Sequence, residues 1–147
     1  MKITTLILIA LTIVMLGLQI NRPLQIKKIS NNLILLITKK KYDELYESLE
    51  NPKTIKYIPE FNRYYLGMNA GILQNNNEKV NMYFDLLLEC NLKEEESKTV
   101  FMRGLQYFVA MSDKARCKIC CENLQKLEMD AETKIYLNRI YDVMVLD

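Results

Sequence analysis

The sequence predicts an all-α protein: an N-terminal transmembrane helix followed by antiparallel helix-pair repeats, about three pairs plus a terminal capping helix. Three observations predict it. Residues 3–20 carry no charge. Only four Gly and three Pro punctuate 147 residues that are otherwise rich in Leu, Lys, Glu and Ile. Apolar residues at helical spacing recur in blocks about 37 residues apart.

Omissions narrow the chemistry. The chain has no His and no Trp. Triads built on imidazole, His metal ligands and His-based pH switching are therefore excluded. Gly17, Gly67, Gly71 and Gly104 are too scattered for a phosphate-cradling loop or a dinucleotide fingerprint. No catalytic constellation stands out, and no enzyme activity, cofactor or metal is expected.

The first element is the uncharged run. Its polar groups are Thr4, Thr5, Thr12 and Gln19. Eighteen residues rising 1.5 Å each span about 27 Å, close to a bilayer core of about 30 Å. An uncleaved transmembrane anchor over residues 1–21 follows, ended by Arg22 and Pro23. A cleaved signal peptide fits less well. Only Lys2 precedes the run, the run exceeds the usual apolar stretch of about 7–15 residues, and no small-x-small site follows it. Cleavage, or a domain facing outward, would make the protein a secreted or surface-exposed helical binding protein.

Residues 22–41 form a basic juxtamembrane segment and first helix. They contain Arg22, Lys27, Lys28, Lys39, Lys40 and Lys41 and no acid. Basic residues near a span are held on the cytoplasmic side, which predicts a single-pass protein of the cell membrane with a cytoplasmic domain. Arg22, Lys27 and Lys28 are candidates for contact with anionic lipid. Subtracting Lys2 and these six from 20 basic residues leaves 13 against all 18 acids, 13 − 18 = −5 for residues 42–147. An acidic body argues against nucleic-acid binding.

The remainder, residues 42–147, reads as helices joined by short punctuation. Leu33 to Ile37 marks a helix ending near Thr38. Tyr42, Leu45, Tyr46 and Leu49 mark the next, stopped by Asn51 and Pro52. Pro59 opens a helix to about Gln74. Asn75, with Glu78 three residues on, reads as a capping box. It precedes the helix carrying Val80, Tyr83, Phe84 and Leu87. Asn91 is a candidate cap for a helix to about Met111, with Glu94, Glu95 and Glu96 at its positive end. Ser112-Asp113 caps one to about Leu127, and Asp130 caps the last. Short linkers make neighbours antiparallel.

Gly67 and Gly104 lie 37 apart, and Val80, Phe84 and Leu87 align with Cys117, Cys120 or Cys121, and Leu124. Together with Leu66-Gly67, the polar turn Asn76-Asn77-Glu78-Lys79, and Tyr83-Phe84, this resembles the tetratricopeptide repeat family. Gly104, Tyr107 and Ser112-Asp113-Lys114-Ala115 resemble a second copy. Lys41 to Tyr46, closing at Pro52, resembles the second helix of a degenerate first one. No position supplies the family's first-helix Trp, Val80 or Tyr42 stands where the family has Ala, and the period exceeds 34. The resemblance implies a module that grips a protein or peptide partner along its first helices. Counted from the two glycines, the groove would be lined by Tyr64, Met68, Phe101, Leu105 and Phe108, with Lys98 at its rim. The same residues would otherwise pack neighbouring repeats. The AT-rich flavour of the composition suggests a bacterial source.

The thiols are the last feature. Cys117, Cys120 and Cys121 share one helical face, with Cys90 on the helix before. The pattern admits a thiol redox or metal module. Cys120 aligned with Phe84 leaves Cys90 about 9 Å away along the axis, so buried core thiols are the better reading.

Overall fold

A computed structural model describes the backbone of residues 3–146 and the side chains of residues 21–145. Among these residues every regular element is helical and no strand occurs. The helices are α1 (Ile3–Thr38), α2 (Tyr42–Glu50), α3 (Pro52–Tyr57), α4 (Glu60–Gln74), α5 (Asn77–Glu89), α6 (Glu94–Ala110), α7 (Lys114–Leu124) and α8 (Ala131–Tyr141), closed by a π-helical stretch, Asp142–Leu146. The protein is all-α.

The first departure from the sequence reading is α1. It runs through Pro23 instead of ending there. Proline removes one N–H and crowds the carbonyl four residues back. Good helix formers follow it, from Leu24 to Lys28, so the defect stays local. The 36 residues of α1 span about 54 Å. Among the described residues no helix is long and apolar enough to cross a membrane. The anchor expected over residues 3–20 falls on side chains outside that set.

The second departure is α3. Asn51 and Pro52 stop α2 and at once start another helix. Asn51 accepts a hydrogen bond from the Lys53 amide at 2.9 Å, and Pro52 occupies the first helical position, where its missing N–H costs nothing. Other caps shift by a residue or two. Asn76, not Asn75, caps α5 through the Lys79 amide at 3.1 Å. The α6 helix begins after Lys93, not Asn91, and the Lys93 amide donates to Glu96 Oε2 at 2.9 Å. Asp113 and Asp130 cap α7 and α8 as the sequence suggests.

Three turns share one construction. Lys40, Asn75 and Ser112 have φ of 56°, 55° and 54°. At each, the left-handed residue's amide returns to the carbonyl three residues back, and the next amide to the carbonyl five back from itself. The pairs are Lys40 to Ile37 and Lys41 to Leu36, Asn75 to Ile72 and Asn76 to Gly71, Ser112 to Val109 and Asp113 to Phe108. This is the Schellman arrangement that satisfies the last carbonyls of a helix. It joins α1 to α2, α4 to α5 and α6 to α7, each time with the following residue as the next helix's cap.

Burial repeats with the turns. Leu45 and Leu49 of α2, Val80 and Phe84 of α5, and Cys117 and Cys121 of α7 are all buried, each pair five and nine residues after its left-handed turn residue. On the first helix of each pair, Leu33 and Leu36, Met68 and Gly71, and Leu105 and Phe108 occupy corresponding buried positions.

The chain forms two compact units, Met1–Arg63 and Tyr64–Asp147, whose border falls inside α4. The sequence suggests borders at 21 and 41 instead. Those positions sit within α1 and at its tight turn into α2, where the chain folds back on itself. In the first unit, Leu33 and Leu36 of α1 and the buried residues of α2 form the core with Thr54 and Ile58. Arg63 is buried beside them, and its Nη1 donates to the Leu49 carbonyl at 3.5 Å. In the second, the core comprises the aromatic and thiol residues of α4 to α7, and α8 contributes Leu137.

Candidate functional site

The groove expected on the first helices is occupied by the protein itself. Met68, Phe101, Leu105 and Phe108 are all buried, at 0%, 6%, 1% and 1% exposure. The ring of Phe84 meets Phe108 edge-on at 4.9 Å between centroids and Phe101 at 6.3 Å. Such edge-to-face pairs are packing geometry. Tyr64 and Lys98 remain half-buried at the surface. Tyr64 leans toward Tyr83, with ring centroids 6.3 Å apart. Of the six residues, these two alone are not buried. Their spacing could not reveal this, because the helix face toward the next helix and the face toward a groove carry the same residue types.

Close approach of the helices explains why those faces fill. A Cβ on Gly67 would stand 2.5 Å from Cζ of Tyr83. A Cβ on Gly71 would stand 3.0 Å from the backbone nitrogen of Val80. One on Gly104 would stand 3.0 Å from Phe84 and 3.2 Å from Cys120 Sγ. Gly67 and Gly104 each face the residue sixteen places on, Tyr83 and Cys120. Cys120 therefore takes the place of Tyr83 in the repeat, not that of Phe84.

That register accounts for the cysteines. Cys117, Cys120 and Cys121 are fully buried along α7 and Cys90 is half-buried. Burial pushes all three α7 thiols up. Cys121 rises to about 11, with the neighbouring Cys117 and Glu122 adding to the effect. Cys120 rises further, helped by the thiols on either side and Asp113. Cys117 is raised by burial and then by Asp113. The thiolate is the form that attacks disulfides and binds metals, so these groups are held in their unreactive state. Cys90 Sγ donates to the Leu86 carbonyl at 3.4 Å. Among the described residues no three His, Cys, Asp or Glu side chains come together to hold a metal.

Polar contacts at the surface join successive helices. Arg103 Nε donates to Asn69 Oδ1 at 3.0 Å, linking α6 to α4. The Tyr107 hydroxyl meets Asn77 Oδ1. Arg116 bridges Asp85 and Asp113, each at 3.3 Å, with its guanidinium 5.7 Å from the centre of the Phe108 ring. Arg103 and Asn69 are thus partners of each other.

The basic residues near the N-terminus are placed differently. Arg22, Lys27 and Lys28 are all exposed on α1. The α3 helix adds Lys53 and Lys56, also exposed. Neither the described part of α1 nor α3 contains an acid.

No protein-family model, curated protein or solved structure matches the chain.

Proposed function

We propose that this is a membrane-anchored helical module, resembling tetratricopeptide repeats, that recruits or scaffolds a protein partner at the membrane. The supporting observation is α1. It continues without a break from the uncharged run into the turns that bear Leu33 and Leu36, the buried first helix of a pair. The proposed anchor and the first helix of the module are then one continuous helix. The three equivalent turns and the repeated burial support the repeat reading. The basic collar supports a cytoplasmic domain in a single-pass protein, and Tyr64 and Lys98, half-buried at the surface, are the candidates for partner contact. The buried, raised thiols argue against a redox or metal role.

The test is carbonate extraction of the full chain combined with impermeant maleimide labelling of intact and permeabilised cells. Retention in the membrane supports the anchor. Release defeats it. Protection of Cys90 until permeabilisation places the domain inside. Labelling of Cys90 in intact cells reverses the orientation. The other three thiols report only after denaturation.

A further inference from the structure

We infer that the seam between α1 and α3 binds the phosphate of an anionic lipid headgroup, in a cleft formed by Asn21, Arg22, Lys56 and Tyr57. The inference rests on the anchoring of residues 3–20 proposed above. The cleft holds about 400 Å³. Its lining offers an Arg fork, an ammonium, a side-chain amide and a phenol, all able to donate to phosphate oxygens. It includes no carboxylate. No Asp or Glu among the described residues forms an ion pair with Arg22 or Lys56. Lys56 Nζ is 5.5 Å from the centre of the Tyr57 ring, which steadies the ammonium without neutralising it. Two cations facing one cleft repel each other until an anion enters.

Depth identifies the anion's source. Arg22 follows Ile20 by two residues, so its Cα lies about 3 Å beyond the end of the uncharged run. A headgroup layer is about 5–7 Å thick on each side of the hydrocarbon core. The cleft therefore sits among the headgroups. A second cleft on the same seam, about 220 Å³, is lined by Lys28, Lys53, Asn32 and Ser48 among others. Lys28 is six residues further along α1, which puts it about 12 Å beyond Ile20, outside that layer. The two clefts share their charge and differ in depth. Tyr57 suits the interface, where an amphipathic ring keeps its hydroxyl among polar groups. Leu24 and Ile55, on the same two helices, are 58% and 50% exposed. Aliphatic groups in these positions are better accommodated at the headgroup boundary than in water.

The experiment uses the full chain in zwitterionic micelles, with ring-labelled tyrosine and the Tyr57 signal assigned through Tyr57→Phe. Dihexanoyl phosphatidylglycerol, dihexanoyl phosphatidylcholine and inorganic phosphate are titrated separately and in competition. The expected result is a saturable Tyr57 shift with the glycerol lipid alone. The shift needs about 30-fold more lipid in Arg22→Gln/Lys56→Gln and is unchanged in Lys28→Gln/Lys53→Gln. All four residues are exposed, and matching circular dichroism melts check that both variants fold. Displacement by millimolar phosphate would make this a site for the free anion and overturn the lipid assignment. Equal response to the choline lipid, equal loss in both variants, or no saturable shift would overturn the cleft. Carbonate extraction separates the two levels. Release from the membrane would defeat the anchor, whereas retention with a silent Tyr57 would defeat the cleft alone.

Discussion

The phenol tip of Tyr83 rests on the backbone of Gly67. A methyl group there would lie 2.5 Å from Cζ and 2.6 Å from both Cε atoms. Gly67→Ala therefore forces α4 and α5 apart or turns the ring. Overpacking of this kind costs about 1–3 kcal/mol, and alanine's better helix propensity returns about 1 kcal/mol. We expect a net loss of up to about 2 kcal/mol in urea unfolding followed by circular dichroism. In a Tyr83→Ala background the same methyl enters the vacated space, and the penalty should vanish or reverse. Strictly additive effects would show that the two residues do not press on each other. Gly104→Ala should cost less, because its nearest neighbours are at 3.0 and 3.2 Å.

The fate of the expected groove can be checked by contrast. Phe101 is buried against Phe84, whereas Lys98, three residues earlier on α6, is half-exposed. Phe101→Ala should cost about 3–5 kcal/mol as a core truncation, and Lys98→Ala less than about 0.5 kcal/mol. If Phe101→Ala leaves the urea midpoint unchanged, the ring is a binding residue and not a core one.

These two cases show how far the sequence could be read. The helices themselves were legible because few Gly and Pro interrupt them and α5, α7 and α8 start at Asn or Asp caps, whereas the Lys41 and Lys93 caps of α2 and α6 carry no such signal. The 37-residue period was legible because α5 and α7 repeat the same apolar spacing. Which way a first-helix residue faces was not, since Met68 and Phe101 would look alike in a groove or a core. The continuity of α1 was hidden by Pro23, a breaker by type whose defect stays confined to one turn. The short α3 was hidden behind Asn51-Pro52, which reads equally as the end of one helix and the start of the next. Glycine 71 gave no signal in one dimension, because its neighbour Val80 is brought in by the turn at Asn75. The seam between α1 and α3 could not be seen at all before Lys53 and Lys56 were known to lie on a helix.

The three left-handed turn residues differ in type, which makes a graded prediction. Lys40, Asn75 and Ser112 all have φ near 55°. A Cβ in that region costs about 1–2 kcal/mol, Asn tolerates it better than most residues, and Gly does not feel it. Lys40→Gly and Ser112→Gly should each stabilise the protein by about 0.5–1 kcal/mol, and Asn75→Gly should change little. Thermal midpoints of the three variants test the ranking. Destabilisation by Ser112→Gly would mean the turn is held by that side chain instead.

Thiol chemistry should separate Cys90 from the α7 cysteines. With three thiols buried and raised, and one half-buried, a disulfide reagent at pH 8 should titrate one thiol per folded chain and four after denaturation. Cys90→Ser should remove the fast phase entirely. Rapid reaction of two or more thiols in the folded protein would mean that α7 opens readily or packs less tightly than described.

Stability should fall on the alkaline side in two overlapping windows. Burial raises Cys121 from 9.0 to about 11, and burial with Tyr42 and Asp43 nearby raises Tyr46 from 10.0 to about 12. Both groups are neutral in the native state and release their protons more easily when unfolded. The native state thus binds more protons than the unfolded one between the two values, and unfolding free energy declines as pH rises there. Below about pH 9 both states keep their protons and nothing is lost. The thiol acts between about pH 9 and 11, the phenol between about 10 and 12. Lysines also titrate here, so the useful comparison is Tyr46→Phe, which keeps the ring and removes the ionisation. Its urea midpoint should track the native protein up to pH 10 and then fall less steeply. Parallel curves through pH 12 would show that the Tyr46 hydroxyl ionises as freely in the folded state as in the unfolded one.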